Sequence, residues 1–197
     1  LAGELGFSYL DTGALYRAVA LALREKGINP EDSDEKLKNT LSVTDVSFKN
    51  GKVSLNGKDV SEEIRTTEMG HYSSVFSARK VVRDFLLDIQ RSASLNADLV
   101  AEGRDMTTVV FPDAWKKFYL DASVEERAKR RYLQLKEKGI NITESEAKKD
   151  VVERDVRDSG RDIAPLRKAD DAVLIDSSSM TINKVLENIL KVVRAGP

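Results

Sequence analysis

Short β-prone runs alternate with amphipathic stretches of helical length, and this alternation limits the fold more than any other feature of the chain. The runs lie at residues 7–11, 97–105, 115–122 and 170–178. The first leads through Gly13 into a helical stretch that Gly27 is expected to end. Strands that alternate with helices predict a doubly wound α/β fold with a parallel sheet, which binds ligands at the carboxyl ends of its strands.

The pattern of apolar and polar residues changes between residues 31 and 95. A short helix is expected at 31–41 and an amphipathic helix at 79–95, with apolar and polar residues alternating over 43–60 between them. This alternating stretch contains two Asn-Gly pairs, which favour tight hairpin turns. We therefore predict a small antiparallel meander, inserted between α/β segments.

Two later helices begin with capping-box sequences, Ser123 with Glu126 and Thr143 with Glu146. The second helix carries polar side chains at the i, i+3, i+4 and i+7 spacing that usually holds an apolar stripe. These side chains are Arg154, Arg157, Asp158 and Arg161. This stripe is predicted to face a polar ligand instead of a hydrophobic core.

Charge and composition exclude several classes of protein. The 32 Lys and Arg residues nearly balance the 33 Asp and Glu residues, so overall charge gives no basis for nucleic-acid or anionic-membrane binding. The sequence has no cysteine, which is typical of a reducing compartment, and no apolar run long enough to cross a membrane. We predict a cytoplasmic protein.

Arginines follow the predicted strand ends, where a doubly wound fold places its ligand. Guanidinium groups bind phosphate through paired hydrogen bonds and stay charged at neutral pH. Alternatively, Arg127 and Arg131 form a solvated helix face, and Arg154 with Asp158 forms a surface ion pair worth only about 0.3–0.5 kcal/mol. Their joint placement favours a cleft for a polyphosphate or for two phosphate-bearing ligands.

Several longer motifs resemble the bacterial cytidylate (CMP) kinase family. They are YLDTGALYR, EEIRT, EGRDMTTVVFPDA, LDASVEERAKRRYLQL and ERDVRDSGRDIAPLRKADDAVLIDSS, in the same order and with similar spacing. The resemblance covers essentially the whole chain. It implies a P-loop NTP hydrolase-like three-layer α/β fold with a central parallel sheet, a small β-containing insert that binds the nucleoside monophosphate, and a helical lid.

The resemblance also implies domain boundaries. The core would comprise residues 1–30, 91–138 and 165–197, the nucleotide-binding insert residues 31–90, and the lid residues 139–164. Family members begin with a strand and a GxxxxGK[ST] loop that holds the phosphates of ATP. We therefore expect roughly 20 residues before Leu1, counting a strand of about five residues, the loop and most of a helix.

Site residues follow from the same resemblance. Catalytic roles are implied for Arg17, Arg154, Asp158 and Arg161. Binding of the acceptor nucleotide is implied for Thr12, Arg17, Ser74, Arg83, Arg104, Asp105, Asp158 and Arg161, and binding of ATP for Arg127, Arg131 and Arg157. No metal ligand is implied within this sequence. Asp158 is expected to be an exposed lid carboxylate, so that its replacement by alanine would leave the fold intact.

The reaction that the resemblance implies is phosphoryl transfer from ATP to CMP or dCMP, with Mg²⁺ accompanying ATP. The expected partners are these small nucleotides alone, with no nucleic acid and no membrane, and the expected state is a monomer. Two alternatives stay open at this point. The acceptor could be another nucleotide such as UMP, or a chain without the P-loop could bind nucleotides without catalysis.

Overall fold

The computed structural model describes residues 1–95 and 97–196. By its internal packing the chain divides into two compact units. The first, here called the N-terminal unit, comprises residues 2–95 and 97–106 together with 162–164. The second, the C-terminal unit, comprises residues 107–161, residues 165–196 and Leu1. The boundaries between these two units fall at other residues than the predicted boundaries of the core, the insert and the lid. The predicted boundaries stay a prediction.

The N-terminal unit begins with helix α1 (Ala2–Leu5), strand β1 (Ser8–Asp11) and helix α2 (Thr12–Glu25). β1 pairs in parallel with β5 (Leu99–Glu102), with Asp11 opposite Glu102 at the carboxyl ends. As predicted, Gly27 terminates α2: it follows the C-cap residue Lys26 and has φ +66°. The Gly27 and Ile28 amides donate to the Arg24 and Leu23 carbonyls at 2.8 and 2.9 Å, the Schellman arrangement. Parallel pairing confirms the α/β class.

The predicted meander is present. Strands β2 (Val46–Lys49), β3 (Lys52–Leu55) and β4 (Lys58–Asp59) pair antiparallel in the order β2-β3-β4. In both Asn-Gly pairs the two residues have positive φ, between 50° and 80°. Glycine tolerates this conformation freely and asparagine better than most residues, which explains why these pairs mark the turns.

Helices surround the meander in the chain. α3 (Asp34–Leu41) and α5 (Lys80–Ser92) lie where helices were expected. The sequence reading did not identify the 3₁₀ turn at Glu63–Arg65 or helix α4 (Thr67–Phe76), which starts with the Thr66 hydroxyl accepting from the Met69 amide at 3.1 Å. α2 packs against α3, α4, α5 and the meander, so one apolar helix forms the centre of this unit.

The C-terminal unit is again α/β. A single π-helical turn, Met106–Val110, follows β5 where the chain passes from one unit to the other. Strand β6 (Phe118–Asp121) pairs in parallel with β7 (Val173–Asp176), and helices α6 (Val124–Glu137), α7 (Glu144–Ser159) and α8 (Ile182–Arg194) complete the unit. In the described part of the chain, no helix has the length and apolar composition of a membrane span.

The two predicted caps are present to different degrees. The Thr143 hydroxyl accepts from the Glu146 amide, and the Glu146 carboxylate accepts from the Thr143 amide at 2.8 Å, which completes a capping box. The Thr143 amide and hydroxyl both donate to the Glu146 carboxylate, and these two hydrogen bonds lower the pKa of Glu146. At α6 the Ser123 hydroxyl accepts from the Glu126 amide at 3.2 Å, while Glu126 forms an ion pair with Arg130. α6 therefore has the first half of the box.

Asp59 in the meander is expected to make a contribution to stability that depends on pH. The Ser61 hydroxyl and amide both donate to Asp59 Oδ1, at 2.6 and 3.0 Å, and Lys52 Nζ lies 3.2 Å from Oδ2. These contacts lower the pKa of Asp59 to about 2. Because the pKa in the unfolded chain is higher, at about 3.9, ionised Asp59 stabilises the meander above that pH. The contribution is lost as the pH falls toward 2.

An NMR titration of the Asp59 side-chain carboxyl carbon measures this pKa directly. Ser61→Ala is the matched variant. It removes the hydroxyl that donates to Asp59 and should therefore raise the pKa of Asp59. A midpoint near 4 in the unaltered protein would contradict the prediction.

Candidate active site

The turn from β1 into α2 places the first predicted site residue. Asp11 Oδ1 accepts from the Ala14 amide at 2.9 Å and caps α2. Thr12, the first residue of α2, is 2% exposed, and its hydroxyl donates to the Glu102 carbonyl at 2.7 Å. Thr12 thus connects the carboxyl end of β1 to that of β5, the edge at which parallel strands present ligand-binding residues.

Arg83 and Asp105 form a buried ion pair. Arg83 Nη1 on α5 lies 2.7 Å from Asp105 Oδ2 in the turn after β5, and the two side chains are 8% and 5% exposed. Arg83 Nη1 also donates to the Tyr16 hydroxyl at 3.3 Å, and the guanidinium carbon lies 5.6 Å from the centre of the Tyr16 ring. Among the described residues, Arg83 Nε is buried without a hydrogen-bond partner.

Burying two charges costs free energy unless they are paired. The contact between Arg83 and Asp105 therefore offsets part of the cost of removing both groups from water. α2, α5 and the turn after β5 each supply one member of this Tyr16–Arg83–Asp105 cluster. Sequence reasoning brought Arg83 and Asp105 together through the family resemblance but missed Tyr16. Its signal was the spacing of Thr12, Tyr16, Val19 and Leu23, which places Tyr16 on a buried stripe of α2.

Three further predicted acceptor residues, Arg17, Ser74 and Arg104, lie in the same unit, whereas Asp158 and Arg161 lie in the C-terminal unit. Arg17 is partly buried on α2, and its Nη2 lies 3.9 Å from the position that a Cβ on Gly70 of α4 would take. Ser74 is buried on α4, and Arg104 is exposed beside Asp105. Because α2 packs against both α4 and α5, the predicted acceptor residues of the N-terminal unit come from elements that contact one another.

In the C-terminal unit, the structure corrects the expectation for Asp158. This carboxylate is 2% exposed instead of lying in solvent. It forms an ion pair with Arg161, whose side chain is 6% exposed, and Arg154 Nε lies 3.6 Å from its Oδ2. The backbone carbonyl of Asp158 also accepts from the Leu166 amide at 2.8 Å. Asp158 is therefore the buried centre of two guanidinium contacts.

The predicted ATP-binding arginines lie on α6 and α7. Arg127 forms an ion pair with Asp155 and donates through Nε to the Ala122 carbonyl at 2.9 Å. Arg131 Nε lies 3.0 Å from Asp150 Oδ2. Both contacts join α6 to α7, so these arginines hold the helix pair together as well as presenting charge. Arg157 is partly buried on α7.

Arg130 was not predicted as a site residue, yet it is tied to the ends of both strands in this unit. It donates to the Ser177 hydroxyl at 3.1 Å and to the Ser177 carbonyl at 2.7 Å. The Ser177 hydroxyl in turn donates to the Asp121 carbonyl at 2.9 Å. Arg130 therefore connects the loops that follow β6 and β7 through hydrogen bonds. No motif in the sequence predicts this contact.

Comparison with known proteins points to one family. The sequence model of the cytidylate kinase family matches residues 1–195. A cytidylate kinase from Thermodesulfovibrio yellowstonii is 51% identical over 195 residues, which are 97% of this chain and 88% of that protein. The cytidylate kinase of Thermosipho melanesiensis is 49% identical over 194 residues, with 98% and 88% covered. For that of Geobacter sulfurreducens the identity is 48% over 198 residues, with 98% and 84% covered.

Proposed function

The chain belongs to the cytidylate kinase family, and we propose that it transfers the γ-phosphoryl group of ATP to CMP or dCMP, giving ADP and CDP or dCDP. The observation that carries this proposal is the family match over residues 1–195, which takes in both units of the structure. As a member of this family, the protein is a nucleotide-dependent phosphotransferase.

The Tyr16–Arg83–Asp105 cluster supports a cytosine base as the acceptor's recognition element. Cytosine presents an amine donor at N4 and acceptors at N3 and O2, whereas uracil presents a carbonyl acceptor at position 4 and a donor at N3. A carboxylate accepts from the N4 amine, and a guanidinium donates to N3 and O2. A site built to bind these groups disfavours the analogue that reverses them, because buried polar atoms would lose their partners. Ser74 on α4 is proposed to complete this base pocket.

Phosphate recognition is assigned to the arginines. Phosphoryl transfer depends mainly on in-line positioning and on neutralising the charge of the transferred group. We assign Arg17 and Arg104 to the acceptor's phosphate, and Arg154 and Arg161 to the phosphates during transfer. No general base is required, because the attacking oxygen of a nucleoside monophosphate is already an anion.

The remaining members of the predicted site have supporting roles in this proposal. Asp158 is assigned to the sugar hydroxyls and to holding Arg161, and Arg127, Arg131 and Arg157 are assigned to ATP. Arg127 and Arg131 already contact carboxylates in the structure, those of Asp155 and Asp150. Binding of a triphosphate would therefore proceed by exchange of carboxylate partners for phosphate oxygens.

Magnesium enters the proposal with ATP, as part of the substrate. Within residues 1–95 and 97–196, no group of three or more His, Cys, Asp or Glu side chains is placed to hold a metal ion. When bound with ATP, such an ion would neutralise charge on the phosphates that take part in transfer. Chelation of Mg²⁺ by EDTA is accordingly expected to abolish turnover, and excess Mg²⁺ to restore it.

The test of this function is an acceptor panel measured on the full-length natural protein. Rates with CMP, dCMP, UMP and AMP are compared at fixed MgATP by following ADP release. The proposal expects kcat/KM to be highest for CMP or dCMP. Preference for UMP or AMP would overturn the cytosine assignment, and the absence of ADP release with every acceptor would overturn the catalytic one.

Location and assembly complete the proposal. We place the reaction in the cytoplasm, where a chain without cysteine is in keeping with the reducing conditions. We propose that the protein acts as a monomer on small nucleotides. Sedimentation at working concentration tests this assembly state.

A further inference from the structure

The contact between Thr12 and the turn after β5 has a consequence for substrate recognition. Thr12 is almost completely buried, and its hydroxyl donates to the Glu102 carbonyl across the β1–β5 pair at 2.7 Å. Gly103, Arg104 and Asp105 follow Glu102 directly. The hydroxyl therefore holds the first residue of the segment that carries Asp105.

Hydrogen-bond counting limits what Thr12 can do for a nucleotide. A hydroxyl has one hydrogen to donate, and here that hydrogen is used by the Glu102 carbonyl. The oxygens of a phosphate dianion carry no hydrogen and can only accept. While the Thr12–Glu102 bond is present, Thr12 has nothing to donate to the acceptor's phosphate.

Gly103 shows how closely the turn approaches Thr12. A Cβ at Gly103 would lie 2.4 Å from Thr12 Oγ1 and 2.9 Å from Met106 Cε. The methionine tip could move aside, but the short, buried Thr12 side chain has little room to do so. Only glycine allows the turn to lie this close to the start of α2.

The same turn delivers Asp105 to the ion pair with Arg83. Asp105 is buried, and the 2.7 Å contact with Arg83 Nη1 depends on where the turn after β5 places its carboxylate. Two features fix this turn from the β1 side, the Thr12 hydroxyl and the missing side chain at Gly103. Neither carries charge, and neither belongs to the ion pair itself.

We infer that Thr12 is a positioning residue for cytosine recognition, which acts through the Gly103 turn on Asp105 and thereby on the Arg83–Asp105 pair. This inference rests on the proposed function, because it presumes that this pair reads the base. It differs from the expectation that Thr12 binds the acceptor nucleotide directly, which stays a prediction. A positioning role and a phosphate contact differ in one measurable respect, the discrimination between CMP and UMP.

Thr12→Val keeps the shape of the side chain and removes the hydroxyl. If Thr12 positions Asp105, the ratio of kcat/KM for CMP to kcat/KM for UMP should fall roughly three- to tenfold, as expected for loss of one buried hydrogen bond. The loss should appear mainly in KM for CMP. Thr12→Ser retains the hydroxyl and should restore the ratio.

Gly103→Ala is the second variant, since it disturbs the same contact from the opposite side. It should lower the same ratio even where Thr12→Val proves too unstable to assay. Thr44→Val is the matched control: the Thr44 hydroxyl also donates to a backbone carbonyl, that of Thr40, at 2.8 Å, but it lies at the entry to the meander. Its CMP-to-UMP ratio should equal that of the unaltered protein.

Each outcome has a distinct meaning. A phosphate contact by Thr12 would lower kcat/KM for CMP and UMP by the same factor, because both nucleotides carry that phosphate, and this result would overturn the inference. An unchanged ratio in both Thr12→Val and Gly103→Ala would overturn it as well. If the unaltered protein itself does not prefer CMP to UMP, the proposed function fails instead, and the variants are not needed to see it.

Discussion

Replacement of Asp158 by alanine is expected to lower the free energy of unfolding and the rate of phosphoryl transfer together. The carboxylate is 2% exposed and contacts the guanidinium groups of Arg161 and Arg154. Its removal leaves buried Arg161 beside Arg154 without the negative charge between them. Breaking a buried ion pair from one side costs roughly 3–5 kcal/mol. Denaturant unfolding and steady-state kinetics with CMP measure the two effects.

Glu153→Ala is the matched control on the same helix. Glu153 is exposed, and its contact with Lys149 is long, 3.8 Å. Surface substitutions of this kind usually change the free energy of unfolding by less than about 0.5 kcal/mol. If Asp158→Ala unfolds at the same denaturant concentration as Glu153→Ala, the buried contacts of Asp158 contribute nothing to stability and the present account of this residue is wrong.

The burial of Asp158 could not be predicted from the sequence around it. The segment around Asp158 contains many charged residues, and a dense run of charges predicts a solvated helix face. Burial is decided by what packs around a side chain, here a buried guanidinium three residues away and a following loop that returns Leu166 to the Asp158 carbonyl. A periodic pattern shows that side chains share a face but does not reveal what covers that face.

Local signals, in contrast, were reliable. The meander follows from two Asn-Gly pairs, the end of α2 from Gly27, and the start of α7 from Thr143 with Glu146, because each depends on backbone geometry over four or five residues. Parallel strand pairing followed from the alternation of strands and helices. These features required no knowledge of distant contacts.

Helix α4 was missed for a physical reason. Its buried positions include Met69 and Phe76 but also Ser73 and Ser74, so the interior face is only partly apolar. Serine is a modest helix former and weakens the hydrophobic periodicity on which the sequence reading depends. Packing against α2 supplies what the local sequence does not. Tertiary contact therefore specifies this helix.

The ion pairs between α6 and α7 likewise could not be predicted from the sequence. Arg127 and Arg131 were read as either a solvated face or ATP ligands, and their partners Asp155 and Asp150 lie on the next helix. The i, i+4 spacing of two arginines gives no information about a second helix. Their assignment to ATP stays a prediction, now with the added requirement that a triphosphate compete with two carboxylates.

Replacement of Arg83 by methionine is expected to have an effect of similar size, and it can separate stability from recognition. Arg83→Met removes the cation that contacts buried Asp105 and should cost roughly 3–5 kcal/mol in the free energy of unfolding. It should also erode the preference for CMP over UMP, since the donor to N3 and O2 is lost. Urea unfolding and the two kcat/KM values measure these effects separately.

The double variant Arg83→Met with Asp105→Asn distinguishes the two roles. With both charges gone, no unpaired ion is buried, and the cost of the uncompensated charge that Arg83→Met leaves at Asp105 is removed. We therefore expect the double variant to regain most of the stability that Arg83→Met loses, while the CMP preference stays low.

Lys80→Met on the same helix is the control, because its ion pair with Asp84 is exposed. An unchanged CMP-to-UMP ratio in Arg83→Met would remove Arg83 from the base pocket. A double variant as unstable as Arg83→Met would show that packing, not charge pairing, holds α5 against the turn after β5.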